Sequence, residues 1–257
     1  LIAQGMSGLM SITGEGPGKP LVKSGAPITD ITSGILAAMG TLAAYVNQIK
    51  TGEGQRVDTS LFEAGIIQTY WQSAIALATG IAPEPMGSAH PLNAPYQAYK
   101  TKDGWITIGA ANQKNWLKLI KALNCQSLAK DARFTNNTAR MNNLVELNEI
   151  LSKILVQKTQ KEWLKKLQTL GVPAGPVLNI NQMHKDPHVI DREMIVSSVH
   201  EKLGTISTLG CPIKFSETPT SIRTAAPTYG QHTRHILKKI GYTESQIEKL
   251  IGDGVIA

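Results

Sequence analysis

Apolar residues recur at helical spacing through most of the first 84 residues, which predicts a helix-rich beginning. We predict helices over residues 1–12 and 31–49, and a second buried helix over residues 62–79. Residues 55–61 alternate between apolar and polar side chains, as a strand does. The 31–49 helix has a face of small residues that would allow another element to approach closely: Ala37, Ala38, Gly40, Ala43 and Ala44.

The pattern changes after Gly80, where prolines and glycines indicate a linker or a functional loop. Two short apolar runs follow, at residues 96–99 and 105–110, with Asp103-Gly104 in the turn between them. An Asp-Gly pair between two such runs is typical of a β-hairpin, so we predict one here.

The rest of the chain alternates between helical and extended patterns. Helices are predicted over residues 114–123, 137–156, 160–170, 231–240 and 245–251. Extended segments are predicted over residues 172–177 and 195–215. Strands that alternate with helices indicate an α/β protein. We divide it into a helical part of a large domain (1–84), a small α/β domain (85–190) and a C-terminal segment that returns to the large domain (191–257).

Composition and charge exclude several classes of protein. The 257 residues are 42% apolar and 18% charged, which is ordinary for a soluble globular chain. The net charge of +7 is spread over helical faces without an arginine-rich or aromatic-interleaved tract, so we expect no nucleic-acid partner. A positive potential would favour an anionic small molecule.

Two further features bear on location. The apolar stretch 35–46 contains Gly40 and Thr41 and is too short to span a bilayer, and no secretion signal opens the chain. Cys125 and Cys211 match neither a disulfide framework nor a zinc site. We therefore predict a cytoplasmic protein without a membrane partner. The chain opens at Leu1 inside an apolar run, and we interpret it as part of a longer protein that supplies the rest of the site.

Asp30 is the sharpest candidate for chemistry. Pro27 disfavours helix at Ala26, so the chain approaches Asp30 in an extended form and then enters a long helix. The dipole and free N–H groups of a helix N-terminus favour an ionised carboxylate, which can attack an acyl carbon. The alternative is that Asp30 only caps its helix, a position that aspartate favours.

Two histidine clusters could bind a metal: His232 with His235, and His184 with Asp186 and His188. The second cluster also fits an ordinary polar helix and turn. Because neither cluster has a cysteine or a further ligand at zinc spacing, we predict no metal site.

An ordered set of motifs runs along the whole chain. The most characteristic are GAPITDITSG at residues 25–34, KTGEGQRVD at 50–58, and AHP at 89–91 leading to APYQAYKTKDGW at 94–105. GVPAGPV at 171–177, DPHV at 186–189 and GQHT at 230–233 follow. In this order the motifs resemble the class III CoA-transferase family, of the CaiB/BaiF and formyl-CoA transferase type.

The resemblance implies a reaction and a nucleophile. Asp30 would attack the thioester carbonyl of an acyl-CoA donor and then form an aspartyl-CoA thioester, from which CoA passes to a carboxylic acid acceptor. Coenzyme A would be a co-substrate, and no tightly bound cofactor is implied. The partners would be an acyl-CoA and a small carboxylic acid.

The resemblance also implies an architecture. The family's fold begins with a Rossmann-like half that supplies much of the CoA site, and this chain would lack that half. Family members form interlocked homodimers, with the site between the large domain of one subunit and the small domain of the other.

A second set of site residues comes from the loop that matches a substrate loop of some relatives. It contributes Gly87, His90, Asn93 and Ala94 as candidate substrate-binding residues. Those relatives have consecutive glycines that cover the aspartyl intermediate, and this chain has no such run. His90 has an alternative role as the source of a hydrogen bond that anchors the loop.

Two other functions remain open. An α-methylacyl-CoA racemase shares the fold and uses the equivalent aspartate as a general base on the α-carbon. Racemases usually carry a glycine-rich stretch after that aspartate, whereas residues 31–34 here are Ile-Thr-Ser-Gly, which favours the transferase. The third possibility is a non-catalytic fragment that dimerises or binds acyl-CoA.

Overall fold

The computed structural model describes residues 1–256, which form two compact units, residues 1–177 and residues 178 onward. The first unit contains a helical stretch followed by a small sheet with helices around it. The second contains a β-hairpin and four helices. The predicted division at residues 84 and 190 stays a prediction.

The first unit begins with helices. The helix α1 covers Ile2–Met6 and is followed by a 3-10 turn at Met10–Ile12, so the predicted helix over residues 1–12 is broken. The helix α2 covers Ile28–Thr51 and begins three residues earlier than predicted. Pro27 is its N-cap residue, and proline has no N–H group that would lack a partner at a helix start. Gly52 ends it with φ +80°.

Two predictions in this stretch are wrong. Residues 55–60 form no strand, because no other strand of the described residues lies beside them to complete a ladder. The predicted helix over residues 62–79 is two helices, α3 (Leu61–Gln68) and α4 (Tyr70–Thr79). They part at Thr69, whose hydroxyl bonds to the Ile66 carbonyl oxygen at 2.7 Å. The predicted burial is wrong for α4, which has no buried residue and leaves Leu77 89% exposed, whereas α3 buries Ala64 and Gly65.

The apolar face of α2 is open to solvent. Its exposed side chains repeat at three- and four-residue spacing: Ile31, Ile35, Met39, Leu42, Val46 and Ile49. By length and composition alone this helix could also cross a membrane, and the predicted stretch 35–46 lies inside it. That is weak evidence, because core helices of soluble proteins pass the same test.

The sheet of the first unit has three antiparallel strands in the order β1 (Tyr96–Lys100), β2 (Trp105–Gly109) and β3 (Ala174–Pro176). The predicted hairpin is confirmed. Its turn is closed by a hydrogen bond from the Thr101 N–H to the Gly104 carbonyl oxygen at 2.8 Å.

Four helices pack around this sheet: α5 (Gln113–Ala122), α6 (Asn137–Asn142), α7 (Leu144–Leu155) and α8 (Gln160–Thr169). The predicted helix over residues 137–156 is interrupted at Asn143, whose φ of −123° is not helical. The sheet and helices enclose a core whose largest members include Trp116, Phe134, Leu147 and Leu151. The whole core cluster lies between Ala94 and Val172, inside the predicted small domain.

The second unit begins with two short helices, α9 (Ile180–Met183) and α10 (Pro187–Asp191). Strands β4 (Ile195–His200) and β5 (Gly204–Leu209) form an antiparallel hairpin within the segment 195–215, which was predicted to be extended. Helices α11 (Thr233–Lys239) and α12 (Glu244–Gly252) confirm the last two predicted helices. Arg234 joins them by ion pairs to Glu244 and Glu248, at 2.8 and 2.6 Å.

Candidate active site

Asp30 lies in the first turn of α2, as its third residue. The N-cap position belongs to Pro27, so the alternative that Asp30 caps its own helix is wrong. Its carboxylate Oδ2 accepts a hydrogen bond from the Thr29 hydroxyl at 3.1 Å, and the residue is exposed.

The first turn of α2 is held by its neighbours in the helical stretch. Thr29 is buried, and its Cγ2 lies 3.4 Å from the place a Cβ on Gly65 of α3 would occupy. That same place is 2.7 Å from the Cβ of Ser7, just after α1. One turn further along α2, the Gln68 Nε2 donates to the Thr32 hydroxyl at 2.8 Å. Close packing of α1 and α3 thus fixes the turn that presents Asp30.

A cleft of about 1210 Å³ lies along the predicted substrate loop. Its walls come from residues 81–89, 91 and 92, from one face of α4, from the start of α7 and from residues 15–17. The charged side chains in these walls are Glu15 and Glu84, and both are exposed. Of the five predicted site residues only Gly87 lines this cleft, and Asp30 lies outside it.

Backbone hydrogen bonds hold the loop at two points before it reaches β1. The Gly87 N–H donates to the Gly14 carbonyl oxygen at 2.8 Å, with Gly87 at φ +61°. The His90 N–H donates to the Tyr96 carbonyl oxygen at 3.0 Å, which closes a small loop.

The ring of His90 anchors the same loop. Its Nδ1 accepts the Leu92 N–H at 3.0 Å, which leaves the proton of a neutral ring on Nε2. The ring also packs between Trp71 and Tyr96, with centroids at 5.4 and 5.2 Å. His90 therefore makes the anchoring bond of the alternative interpretation, and its contact with substrate stays a prediction.

The end of the loop is bound by α6. The Ala94 side chain is fully buried, its N–H donates to Asn137 Oδ1 at 3.1 Å, and its carbonyl oxygen accepts from Arg140 Nε at 2.7 Å. Asn93 lies beside a second cavity of about 530 Å³ that Arg140 also lines. The structure thus brings Gly87, His90, Asn93 and Ala94 into one loop, whereas Asp30 lines neither cavity.

Sequence reasoning missed Arg140, which is fully buried although it is charged. Burial lowers the pKa of its guanidinium, yet no carboxylate of the described residues pairs with it. Neutral oxygens and the face of Trp116, 5.1 Å away, surround it instead. A signal was present, since Arg140 continues the buried stripe of Leu147, Leu151 and Leu155 at helical spacing.

Residues of the two histidine clusters have structural contacts at helix ends. Among residues 1–256, no three His, Cys, Asp or Glu side chains are grouped so that they could hold a metal ion. His232 instead occupies the N-cap position of α11, and Asp186 caps α10 by accepting the His188 N–H at 2.9 Å.

Known proteins are similar to this chain over nearly its whole length. The family model "CoA-transferase family III" matches residues 1–233. The succinyl-CoA:glutarate CoA-transferase of Mus musculus is 34% identical over 256 residues, which cover 99% of this chain and 58% of that protein. The succinate–glutarate CoA-transferase of Agrobacterium fabrum is 33% identical, over 93% of this chain and 60% of that protein.

Solved structures give the same result for the fold. A CAIB/BAIF family protein from Brucella suis superposes with a TM-score of 0.80 at 32% identity, over 93% of this chain and 61% of that one. The chain thus spans about three fifths of the length of these relatives. The predicted α/β fold of the CaiB/BaiF type is confirmed, and the chain belongs to the family III CoA-transferases.

Proposed function

We propose that the polypeptide containing this chain is a CoA-transferase that moves coenzyme A from an acyl-CoA donor to a carboxylic acid acceptor, with Asp30 as the nucleophile. Family membership and the names of the relatives support CoA transfer. The observation that carries the role of Asp30 is the position of its carboxylate: it lies exposed in the first turn of α2, and its own helix does not use it as a cap.

The reaction conserves the energy of the thioester through two exchanges. A carboxylate oxygen of Asp30 attacks the thioester carbonyl carbon of the donor, the CoA thiolate leaves, and a mixed anhydride forms. The thiolate then attacks the aspartyl carbonyl carbon, which releases the donor acid and leaves an aspartyl-CoA thioester.

The second half runs in the opposite direction. The acceptor carboxylate attacks the aspartyl carbonyl carbon and expels the thiolate, and the thiolate attacks the acyl carbon of the acceptor. The new acyl-CoA leaves, and the Asp30 carboxylate is regenerated. Water must be excluded throughout, because it would hydrolyse the anhydride and the thioester.

Short dicarboxylates are the substrates that we propose. Several relatives have succinyl-CoA in their names. The acid named with it is glutarate, D-citramalate or mesaconate. Residues Gly87, His90, Asn93 and Ala94 would form the substrate loop. We further propose a cytoplasmic homodimer, in which segments outside this chain hold the CoA phosphates and cover the apolar face of α2.

The test is to trap the aspartyl intermediate. The complete natural polypeptide is incubated with succinyl-CoA, glutarate and hydroxylamine, and its peptides are weighed. We expect a hydroxamate on Asp30 and, in the Asp30→Asn variant, loss of at least about a thousandfold in transfer rate, because the nucleophile is gone. Asp58→Asn is the matched control, since Asp58 is exposed and paired with Arg56, and we expect it to keep full activity.

Two outcomes would contradict the proposal. Rapid transfer without any label on Asp30 would exclude an aspartyl intermediate at this residue. Exchange of the α-proton of a 2-methylacyl-CoA without acyl transfer would instead identify a racemase, in which Asp30 is a base. Comparing turnover by residues 1–257 alone with turnover by the complete polypeptide tests whether this chain suffices.

A further inference from the structure

We propose that α6 is the element that positions the substrate loop, residues 87–94, and that Asn137 and Arg140 thereby limit how much of the aspartyl-CoA intermediate is lost to water. This rests on the proposed function. Both side chains act through the loop, so they are positioning residues.

Asn137 binds the backbone of the loop through both the oxygen and the nitrogen of its side-chain amide. Its Oδ1 accepts the Ala94 N–H at 3.1 Å, and its Nδ2 donates to the Leu92 carbonyl oxygen at 2.9 Å. The two bonds bracket Asn93, which lies between Leu92 and Ala94. One side chain of α6 therefore fixes the backbone on both sides of a candidate substrate-binding residue.

Arg140, one helical turn further on, joins the loop end to the core. Its Nε donates to the Ala94 carbonyl oxygen at 2.7 Å, while its two terminal nitrogens bond to the carbonyl oxygens of Phe134 and Ala111 at 3.2 and 3.3 Å. A further bond reaches Gln113 Oε1 at 2.9 Å. Although Arg140 borders the second cavity, its side chain is fully buried, and its Nε, Nη1 and Nη2 all donate to oxygens of the protein.

Hydrogen bonds also hold the beginning of the loop, at Gly87 and Ser88. The Gly87 N–H bonds to the Gly14 carbonyl oxygen, and Ser88 Oγ accepts the Ala98 N–H at 3.0 Å. Together with the bond from Leu92 to His90, these contacts fix the loop along its length. In the proposed function the loop shields the aspartyl intermediate, and α6 sets the position from which it does so.

If the loop is less firmly held, water can hydrolyse the aspartyl-CoA thioester. The oxygen of a water molecule attacks the aspartyl carbonyl carbon of the thioester, the carbon–sulfur bond breaks, and the thiolate takes up a proton as free CoA. The Asp30 carboxylate is restored, and the second proton of the attacking water goes to solvent. The net result is hydrolysis of the donor acyl-CoA, which competes with transfer to the acceptor acid.

The experiment measures the ratio of hydrolysis to transfer in the complete polypeptide, with succinyl-CoA and glutarate. In Asn137→Ala we expect that ratio to rise roughly tenfold, because two hydrogen bonds to the loop are lost. Asn137→Asp keeps the acceptor for Ala94 but sets a carboxylate oxygen against the Leu92 carbonyl oxygen, which repels it, so we expect a rise at least as large. The control is Thr159→Ala, which removes the N-cap of α8 and touches no loop residue; its ratio should stay at the wild-type value.

Each outcome has one meaning. If Asn137→Ala lowers the melting temperature as Thr159→Ala does and leaves the ratio unchanged, Asn137 only stabilises the fold and the inference is wrong. If the wild-type protein hydrolyses succinyl-CoA but transfers nothing to any acid, the proposed function fails first. A rise in the ratio for both Asn137 variants, with Thr159→Ala at the wild-type value, supports the positioning role.

Discussion

Gly65→Ala tests whether the turn that carries Asp30 is held by close packing. A methyl group on Gly65 would lie 2.7 Å from the Cβ of Ser7 and 3.4 Å from the Cγ2 of Thr29. The first distance is far shorter than an ordinary carbon–carbon contact of about 3.5–4.0 Å. Because the Ser7 Cβ is attached directly to the backbone, α1 or α3 must shift to make room.

Two effects of opposite sign decide the stability of this variant. Overpacking typically costs about 1–3 kcal/mol, whereas alanine is favoured over glycine inside a helix by about 1 kcal/mol. We therefore expect Gly65→Ala to lower the free energy of unfolding by about 1 kcal/mol, a factor of roughly five in the unfolding constant.

A double-mutant cycle with Ser7→Gly isolates the clash. Removing the Ser7 side chain should let the alanine fit, so the two substitutions should show a favourable coupling of about 1–2 kcal/mol in urea unfolding. Gly34→Ala is the matched control, because no atom lies within 4 Å of a Cβ at that helical position. It should stabilise the protein. If Gly65→Ala stabilises it equally and shows no coupling to Ser7, the packing argument is wrong.

Two further predictions concern the buried Arg140 and the two cysteines. Arg140→Leu should destabilise the protein by about 3 kcal/mol or more, since it leaves three main-chain carbonyl oxygens without their donor. Urea unfolding measures this loss of stability, and a loss under about 1 kcal/mol would contradict the prediction. Burial raises the pKa of Cys125 to about 11, whereas hydrogen bonds from Thr220 and Ile213 lower the pKa of Cys211. Because the thiolate reacts, alkylation should label Cys211 before Cys125 as the pH rises, and peptide masses showing the reverse order would refute the assignment.

Local signals predicted the elements that depend on local chemistry. The Asp103-Gly104 pair predicted the first hairpin, and Gly52 and Gly171 mark the ends of α2 and α8, where both have positive φ. The extended approach through Pro27 placed Asp30 at a helix start. These features rest on backbone preferences within a few residues, which the sequence records directly.

Features that depend on distant partners were not predictable in the same way. Residues 55–61 alternate like a strand, but a strand forms only where another chain segment completes its hydrogen bonds. The breaks at Thr69 and Asn143 interrupt continuous apolar patterns, so periodicity alone does not find them. In the site, the family motifs pointed to the loop, whereas its anchors on α6 come from more than 40 residues away.

The placement of the core between Ala94 and Val172 has a consequence for how the molecule opens. Backbone amides of β2, α5 and α7 are shielded by many packed side chains, so their protons should exchange with deuterium only when the whole unit unfolds. The amides of α2 and α4, on elements with exposed apolar faces, should exchange through smaller and more frequent fluctuations. The aspartate that is proposed to carry CoA therefore begins one of the quickly exchanging helices, and the loop proposed to cover it ends in the slowly exchanging core.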